Sequence, residues 1–253
     1  MSLSEIMTLL IQFHQKPYRT FKSYYLEQVC QYWHQEFPGL VSYQRFIEWL
    51  PSSLVPLCAY LNHCFGSCTG ISFIDATSLK VCHSRRINRH RVFKNLAARG
   101  KTSMGWFYGF KLHLVVSESG DLLNAQLTPG NTDDRKPVEG LLSHLQGKVF
   151  ADRGYVSKTL AKQLLDKFNI EFFAKPRRNM KNKLMGLTDK LLSRKRSIVE
   201  TVIDQLKNIS QIEHSRHRSP VNCFVNIICG LIAYCYQPKK PRIHLEWALP
   251  PSA

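Results

Sequence analysis

At Ile71 the periodicity of this chain changes, and the change limits the architectures open to it. Before it, apolar residues recur at helical spacing. Leu3, Ile6, Met7, Leu9, Leu10 and Phe13 form one helical run, which Pro17 interrupts. A second run covers about 20–36 and closes at Pro38-Gly39; a third, about 43–64, is disturbed by Pro51 and Pro56. After Ile71, short apolar strands take over. ISFIDATSLKVC reads as one strand, and GFKLHLVVSES with LLNAQLT as a hairpin turned at Gly120-Asp121. The loop TPGNTDD then leads to a helix over about 135–145. A strand ending in KVFAD follows, then a helix over about 158–168 and a strand IEFFAKP. A long helix over about 189–208 and an apolar helix near 221–236 complete the pattern. Strands interleaved with helices predict an α/β fold, a mixed sheet flanked by helices, with an N-terminal helical region. The expected division is a helical region at 1–69, a sheet domain at 70–238 with a basic insertion at 83–105, and a tail at 239–253.

Composition narrows the function classes. With 253 residues, 44% hydrophobic and 11% aromatic, the chain can bury a core and is not intrinsically disordered over most of its length. It carries 35 Lys plus Arg against 18 Asp plus Glu, a formal charge of +17. That surplus is silent about fold but points to a polyanionic partner, nucleic acid or an anionic membrane face. The most apolar run, VNCFVNIICGLIAYCY, is shorter than the roughly 20 residues a membrane span needs and contains two Asn. The start, MSLSEIMTLLIQFH, lacks a positive n-region and carries Glu5, which makes a poor signal peptide. No membrane association is expected, and nucleic acid becomes the leading partner in a cytoplasmic, nucleoid-associated protein. There the eight cysteines are expected as thiols. Cys58, Cys64 and Cys68, with His63 beside them, match zinc spacing poorly.

Three acids stand at unusual places. Asp75 is expected to end an apolar strand, ISFID, and Asp152 another, KVFAD. A carboxylate there is costly unless it is paired, hydrogen-bonded or bound to a metal. If the two strands are neighbours, both acids meet at one site. The third is Glu200 in RSIVETVIDQLKN. Ile198, Val199, Val202, Ile203 and Leu206 form an apolar stripe there, and Arg196, Glu200 and Lys207 fall within about 40° of one another on the wheel. Three carboxylates from two strands and a helix suit two hard cations, Mg²⁺ or Mn²⁺, about 4 Å apart, an arrangement that activates an attacking oxygen and steadies a leaving oxygen on phosphorus. The residue-level alternatives are a salt-bridged strand end at Asp75 and an ordinary helix pair between Glu200 and Arg196.

Two basic runs flank these acids. The first, HSRRINRHRVFKNLAARGK, holds Arg85, Arg86, Arg89, Arg91, Lys94, Arg99 and Lys101 with no acid; Phe93, Trp106, Phe107 and Tyr108 lie within or just after it. The second, KPRRNMKNKLMGLTDKLLSRKR, includes Arg177 and Arg178 and is opposed only by Asp189. Such runs neutralise phosphates and make binding fall steeply with salt. Neither carries a base-reading motif.

Taken together and in order, these residues resemble a family. Arg196, Glu200 and Lys207 match the R-x3-E-x6-K core of the YREK signature of DDE transposases from bacterial insertion sequences. Asp75 in FIDAT is similar to their first Asp, and Asp152 in FADRGY to their second. TPGNTDDRKP is similar to the loop between those strands. VFKNLAARGKTSMGWFYGFKLHLV and CGLIAYCYQPKKP look closest to the insertion-sequence-982 type. The resemblance implies an RNase H-like fold and a metal-dependent transposase. Such an enzyme cleaves at the ends of its element, bound at terminal inverted repeats, and transfers the 3′-hydroxyl strand to target DNA. It implies Asp75, Asp152 and Glu200 as ligands to two Mg²⁺ or Mn²⁺ ions and as the catalytic residues, Arg196 and Lys207 as backbone contacts near the cut, and a homodimer on double-stranded DNA. The signature Tyr three residues before the Arg is Ser193 here. In relatives a further segment precedes the first helical run, which implies an internal start or a truncated copy. A metal-dependent nuclease on the same fold and a non-catalytic DNA-binding remnant are the alternative readings.

Overall fold

The computed structural model describes residues 1–176, 185–213 and 217–243. Its described residues divide into two compact units. One gathers Met1–Cys64, Arg89–Lys94 and Asp204–Pro238; the other gathers Phe65–Asn88, Asn95–Ile203 and the described residues from Lys239.

The first unit is helical. Helix α1 (Leu3–Phe13) opens with a capping box in which Ser2 and Glu5 satisfy each other's backbone N–H groups. Helix α2 (Phe21–Ser23) passes through a π-helical segment, Tyr24–Val29, into α3 (Cys30–Tyr32). The wide turn places Tyr24 and Tyr25 wholly inside, against Phe13, Phe21 and Phe46. Helix α4 (Tyr43–Trp49) runs through a 3₁₀ turn at Leu50–Ser53 into α5 (Leu54–Cys64), so Pro51 bends the expected third run without ending it. The apolar run near the end of the chain is α10 (Pro220–Cys235); it packs on α1 and α5 and belongs to this helical unit. Imidazole His14, fully buried, hydrogen-bonds the Ser210 carbonyl. No helix among the described residues is long and apolar enough to cross a membrane.

The second unit carries a six-stranded mixed sheet flanked by helices, an RNase H-like α/β arrangement. Its strands are β1 (Ile71–Cys82), β2 (Ala98–Thr102), β3 (Gly105–Ser117), β4 (Leu122–Pro129), β5 (Gly147–Ala151) and β6 (Ile170–Ala174). The order is β2-β3-β1-β5-β6, with β4 also pairing β3. Strands β2, β1 and β4 run antiparallel to β3, whereas β1, β5 and β6 are parallel. Helix α6 (Val138–Leu142) lies between β4 and β5, α7 (Lys158–Phe168) between β5 and β6, and α8 (Leu187–Lys195) and α9 (Ser197–Asn208) follow β6 in the chain.

Period-two alternation divides the sheet's two faces. Ile74, Val115, Val149 and Ala151 join Val138, Leu141 and Leu142 of α6 and Leu160 and Leu164 of α7 in one core. Phe73, Phe150 and Phe173 stack across β1, β5 and β6 on the other face. The parallel register begins at Gly147, whose φ of +85° and whose contact with Gly70 exclude a side chain: a Cβ there would meet the Gly70 carbonyl oxygen at 2.3 Å.

Three expectations are corrected. Asp75 does not end its strand; β1 continues seven residues beyond it, because antiparallel pairing with β3 persists where parallel pairing with β5 has stopped. The helix expected over 189–208 is two helices meeting at Arg196, and the one expected over 135–145 is confined to Val138–Leu142. The basic run contains a 3₁₀ turn, Ser84–Arg89, and the strand β2, which pairs with β3 despite a polar sequence.

Candidate active site

Strand offset builds this site. The last parallel pair is Ile74 with Ala151. The next residues on the two strands are Asp75 and Asp152, side by side where β5 gives out. Asp75 is still held in β1, opposite Leu114 of β3. Asp152 is released into a 3₁₀ turn, Arg153–Tyr155. Alternation sends both away from the α6–α7 core, onto the face that carries the phenylalanine stack.

The helix contribution comes through Arg196, at the junction of α8 and α9. Its Nη1 donates to Asp75 Oδ2 at 2.9 Å, and its Nη2 donates to Glu200 Oε1 at 2.5 Å. The same Nη2 lies 3.8 Å from Asp152 Oδ1. One guanidinium thus stands among all three carboxylates, with only 15% of its side chain exposed. Apolar residues of α9 set this orientation: Ile198, Val199, Val202 and Leu206 are buried, which turns Glu200 to the edge of the packed face. Helix α8 is held to β5 by an ion pair between Lys148 and Asp189 at 2.7 Å.

Electrostatics distinguish the partners. Burial raises the Asp75 pKa above the usual carboxylate value; Arg196 and the Ala76 N–H, which donates to Oδ1 at 2.9 Å, only partly oppose it. Burial works against the Arg196 charge, but Asp75, Asp152 and Glu200 more than offset it, so its pKa lies above the ordinary arginine value. Tyr155 was absent from the sequence-derived candidates. Its ring is buried, its hydroxyl has no hydrogen-bond partner among the described residues, and burial together with the negative charge of Asp75 raises its pKa. Asp134 was likewise missed; it pairs with Lys111 at 2.8 Å, and its charge acts on Tyr155 and on the buried His113. The aromatic three residues after Asp152 was the available signal for Tyr155. Asp134 reads as an ordinary loop acid.

Lys207 pairs with Glu213 at 3.0 Å. Arg85, Arg86, Arg89, Arg91, Lys94, Arg99 and Lys101 are exposed. Arg177 and Arg178 lie outside the described residues. Ser193, at the position of the signature tyrosine, is in α8 and half-buried.

Three carboxylates around one cation make an oxygen-only, anionic donor set, the chemistry that hard divalent ions select. Among the described residues, no three His, Cys, Asp or Glu side chains are gathered closely enough to hold an ion as they stand. The Arg196 guanidinium occupies the space between Asp75 and Glu200. The donors therefore fit such an ion in kind, on condition that Arg196 gives way.

Residues 65–220 match the family model described as "Transposase DDE domain". No curated protein matches the chain.

Proposed function

Because this chain belongs to the DDE transposase family, we propose that it cleaves DNA at the ends of an insertion sequence and joins the freed 3′-hydroxyl strand to target DNA. The convergence of Asp75, Asp152 and Glu200 on Arg196 carries the reading. Asp75, Asp152 and Glu200 would hold divalent metal, Mg²⁺ or Mn²⁺, which supplies charge stabilisation at phosphorus and a lowered pKa at a bound water.

The chain's own residues do the rest. Asp75 is fixed in a strand paired on both sides up to its position, which makes it the least mobile of the three ligands. Asp152 and Glu200 lie on more exposed ground and can adjust to the incoming phosphate. Arg196, once freed from the carboxylates, would bind phosphate bidentately. Lys207 and the cations of the two basic runs would contact the DNA backbone. Water attacks the phosphodiester at the element end; its oxygen bonds to phosphorus, the P–O3′ bond breaks, and the leaving oxygen takes a proton. That 3′-hydroxyl then attacks a target phosphodiester, and one P–O bond replaces another without net hydrolysis. The partners are double-stranded DNA at terminal inverted repeats and at the target, with a homodimer bridging the two ends near the nucleoid. On this reading the chain is of the insertion-sequence-982 type, with Ser193 in place of the signature tyrosine.

The test uses a duplex carrying the terminal repeat that flanks the gene, a supercoiled target plasmid, and Mg²⁺ or Mn²⁺. Wild-type protein is expected to cut at the repeat end and to give joined product, and Asp152→Ala to give neither. Cutting without joining would make it a nuclease, and DNA binding without cutting would make it a binding protein; either outcome overturns the proposal.

A further inference from the structure

We propose that the β2–β3 hairpin is a base-stacking site: Trp106 receives an unpaired nucleobase on its ring, while Lys101 and Arg99 hold the adjoining phosphates. The inference rests on the DNA reading above and adds where the protein grips bases rather than backbone.

The register divides the hairpin into two faces. Lys101 pairs with Trp106 and Arg99 with Tyr108, so these residues share one side; Gly100 and Phe107 share the other. The inner side is anchored. Phe107 is buried, and a Cβ on Gly100 would meet its ring at 2.6 Å and the Gly130 carbonyl oxygen at 2.1 Å. The outer side presents an indole to solvent: Trp106 is 67% exposed, and Met104 at the tip is 92% exposed. Trp33 and Trp49, by contrast, are half-buried. The turn is stiff. The Thr102 hydroxyl donates to the Gly105 carbonyl and accepts from the Met104 N–H, each at 3.3 Å, and Gly105 has a φ of +114° that few other residues adopt.

An exposed indole on a rigid hairpin contributes nothing to the core, so its value lies in what it meets. Lys101 Nζ lies 5.7 Å from its ring centroid, and Arg99 is exposed two cross-strand pairs away on the same face. No acidic residue occurs between Ala76 and Ser117. A nucleobase is a flat ring with an apolar face tethered to an anion, and an aromatic beside two cations is its complement. A protein partner would ask instead for a broader apolar patch with few lysines. Stacking of this kind needs a base free of its neighbours, as at an overhang or a base drawn out of the duplex.

The experiment measures binding of the full chain to a blunt duplex and to the same duplex with a short oligothymidine overhang, at fixed salt, by fluorescence anisotropy. Wild-type protein is expected to favour the overhang substrate. Trp106→Ala should weaken overhang binding about tenfold and change blunt-duplex binding less than about twofold. Trp106→Phe should keep most of the preference, and the far-ultraviolet circular dichroism of both variants should match wild type. Equal binding of the overhang by wild type and Trp106→Ala overturns the inference while leaving the transposase reading intact. A wild-type chain that binds neither substrate overturns both. If Trp106→Ala instead abolishes self-association in sedimentation and leaves overhang binding unchanged, the hairpin is a protein contact and the inference fails.

Discussion

A largely buried carboxylate in the middle of a strand is held in place at the expense of its solvation, and Asp75, paired to β3, shows the sign of that conflict. Its pKa is raised because burial outweighs the help from Arg196. A raised carboxylate pKa means that folding favours the protonated form. That contribution is complete below the ordinary carboxylate range and is lost as pH rises through the folded pKa. Asp75→Asn, which keeps the shape of the protonated acid, should therefore raise the melting temperature at pH 7 by a few degrees while abolishing cleavage. The gain should vanish near pH 3; a melting temperature at pH 7 unchanged or lower than wild type would refute this account of Asp75. Two histidines carry the opposite sign. Burial pushes both His14 and His113 down to about 4, so folding holds them neutral. The stability they contribute is present above the unfolded value of 6.5 and is lost as pH falls toward 4. At pH 5 each should cost about 2 kcal/mol relative to neutral pH. Urea unfolding of wild type, His14→Gln and His113→Gln across this window reads the difference; a pH dependence as steep in both variants as in wild type would sink it.

Elements place the acids, and they were unequally legible in the sequence. The pairing of Asp75 with Asp152 was readable because both follow apolar strand residues, and burial then demands a common purpose for the charges. The strand offset that brings them side by side was not readable, since it depends on where the β1–β5 register stops. Strand β2 was hidden because ARGKT has no strand-like alternation and is recruited by β3. The break at Arg196 was hidden because apolar periodicity runs on through it, and the pairing of Lys207 with Glu213 because a helical wheel carries no information about the segment that follows. Tyr155 and Asp134 are placed by the turn after β5 and the loop after β4, neither of which has a periodic signal. The register itself is testable at Gly147. Replacing it with Ala brings a Cβ against Gly70 at a positive φ, which should cost about 2 kcal/mol or more. Leu164→Ala, in the core beneath the opposite face, should cost about 3 kcal/mol without altering the site's chemistry. Chemical denaturation measures both; a neutral Gly147→Ala would show that β5 can shift, and the pairing of the two aspartates with it.

Across the whole molecule, charge and site call for the same ligand. A chain of formal charge +17 carries a small cluster of acids, and on the proposed reading the surplus attracts DNA and the acids act on it. If the exposed cations of the first basic run engage phosphates, affinity for duplex DNA should fall about a thousandfold between 50 and 200 mM salt. A slope near zero on a log–log plot would remove that run from the interface. On the proposed reading, Asp75, Asp152 and Glu200 share the divalent-metal site and Arg196 stands among them when metal is absent. The direct measurement is Mn²⁺ binding, followed by electron paramagnetic resonance on wild-type protein and on Asp75→Asn, Asp152→Asn and Glu200→Gln. A single shared site predicts that each substitution weakens Mn²⁺ binding about tenfold or more. Three variants that bind Mn²⁺ as wild type does would contradict it.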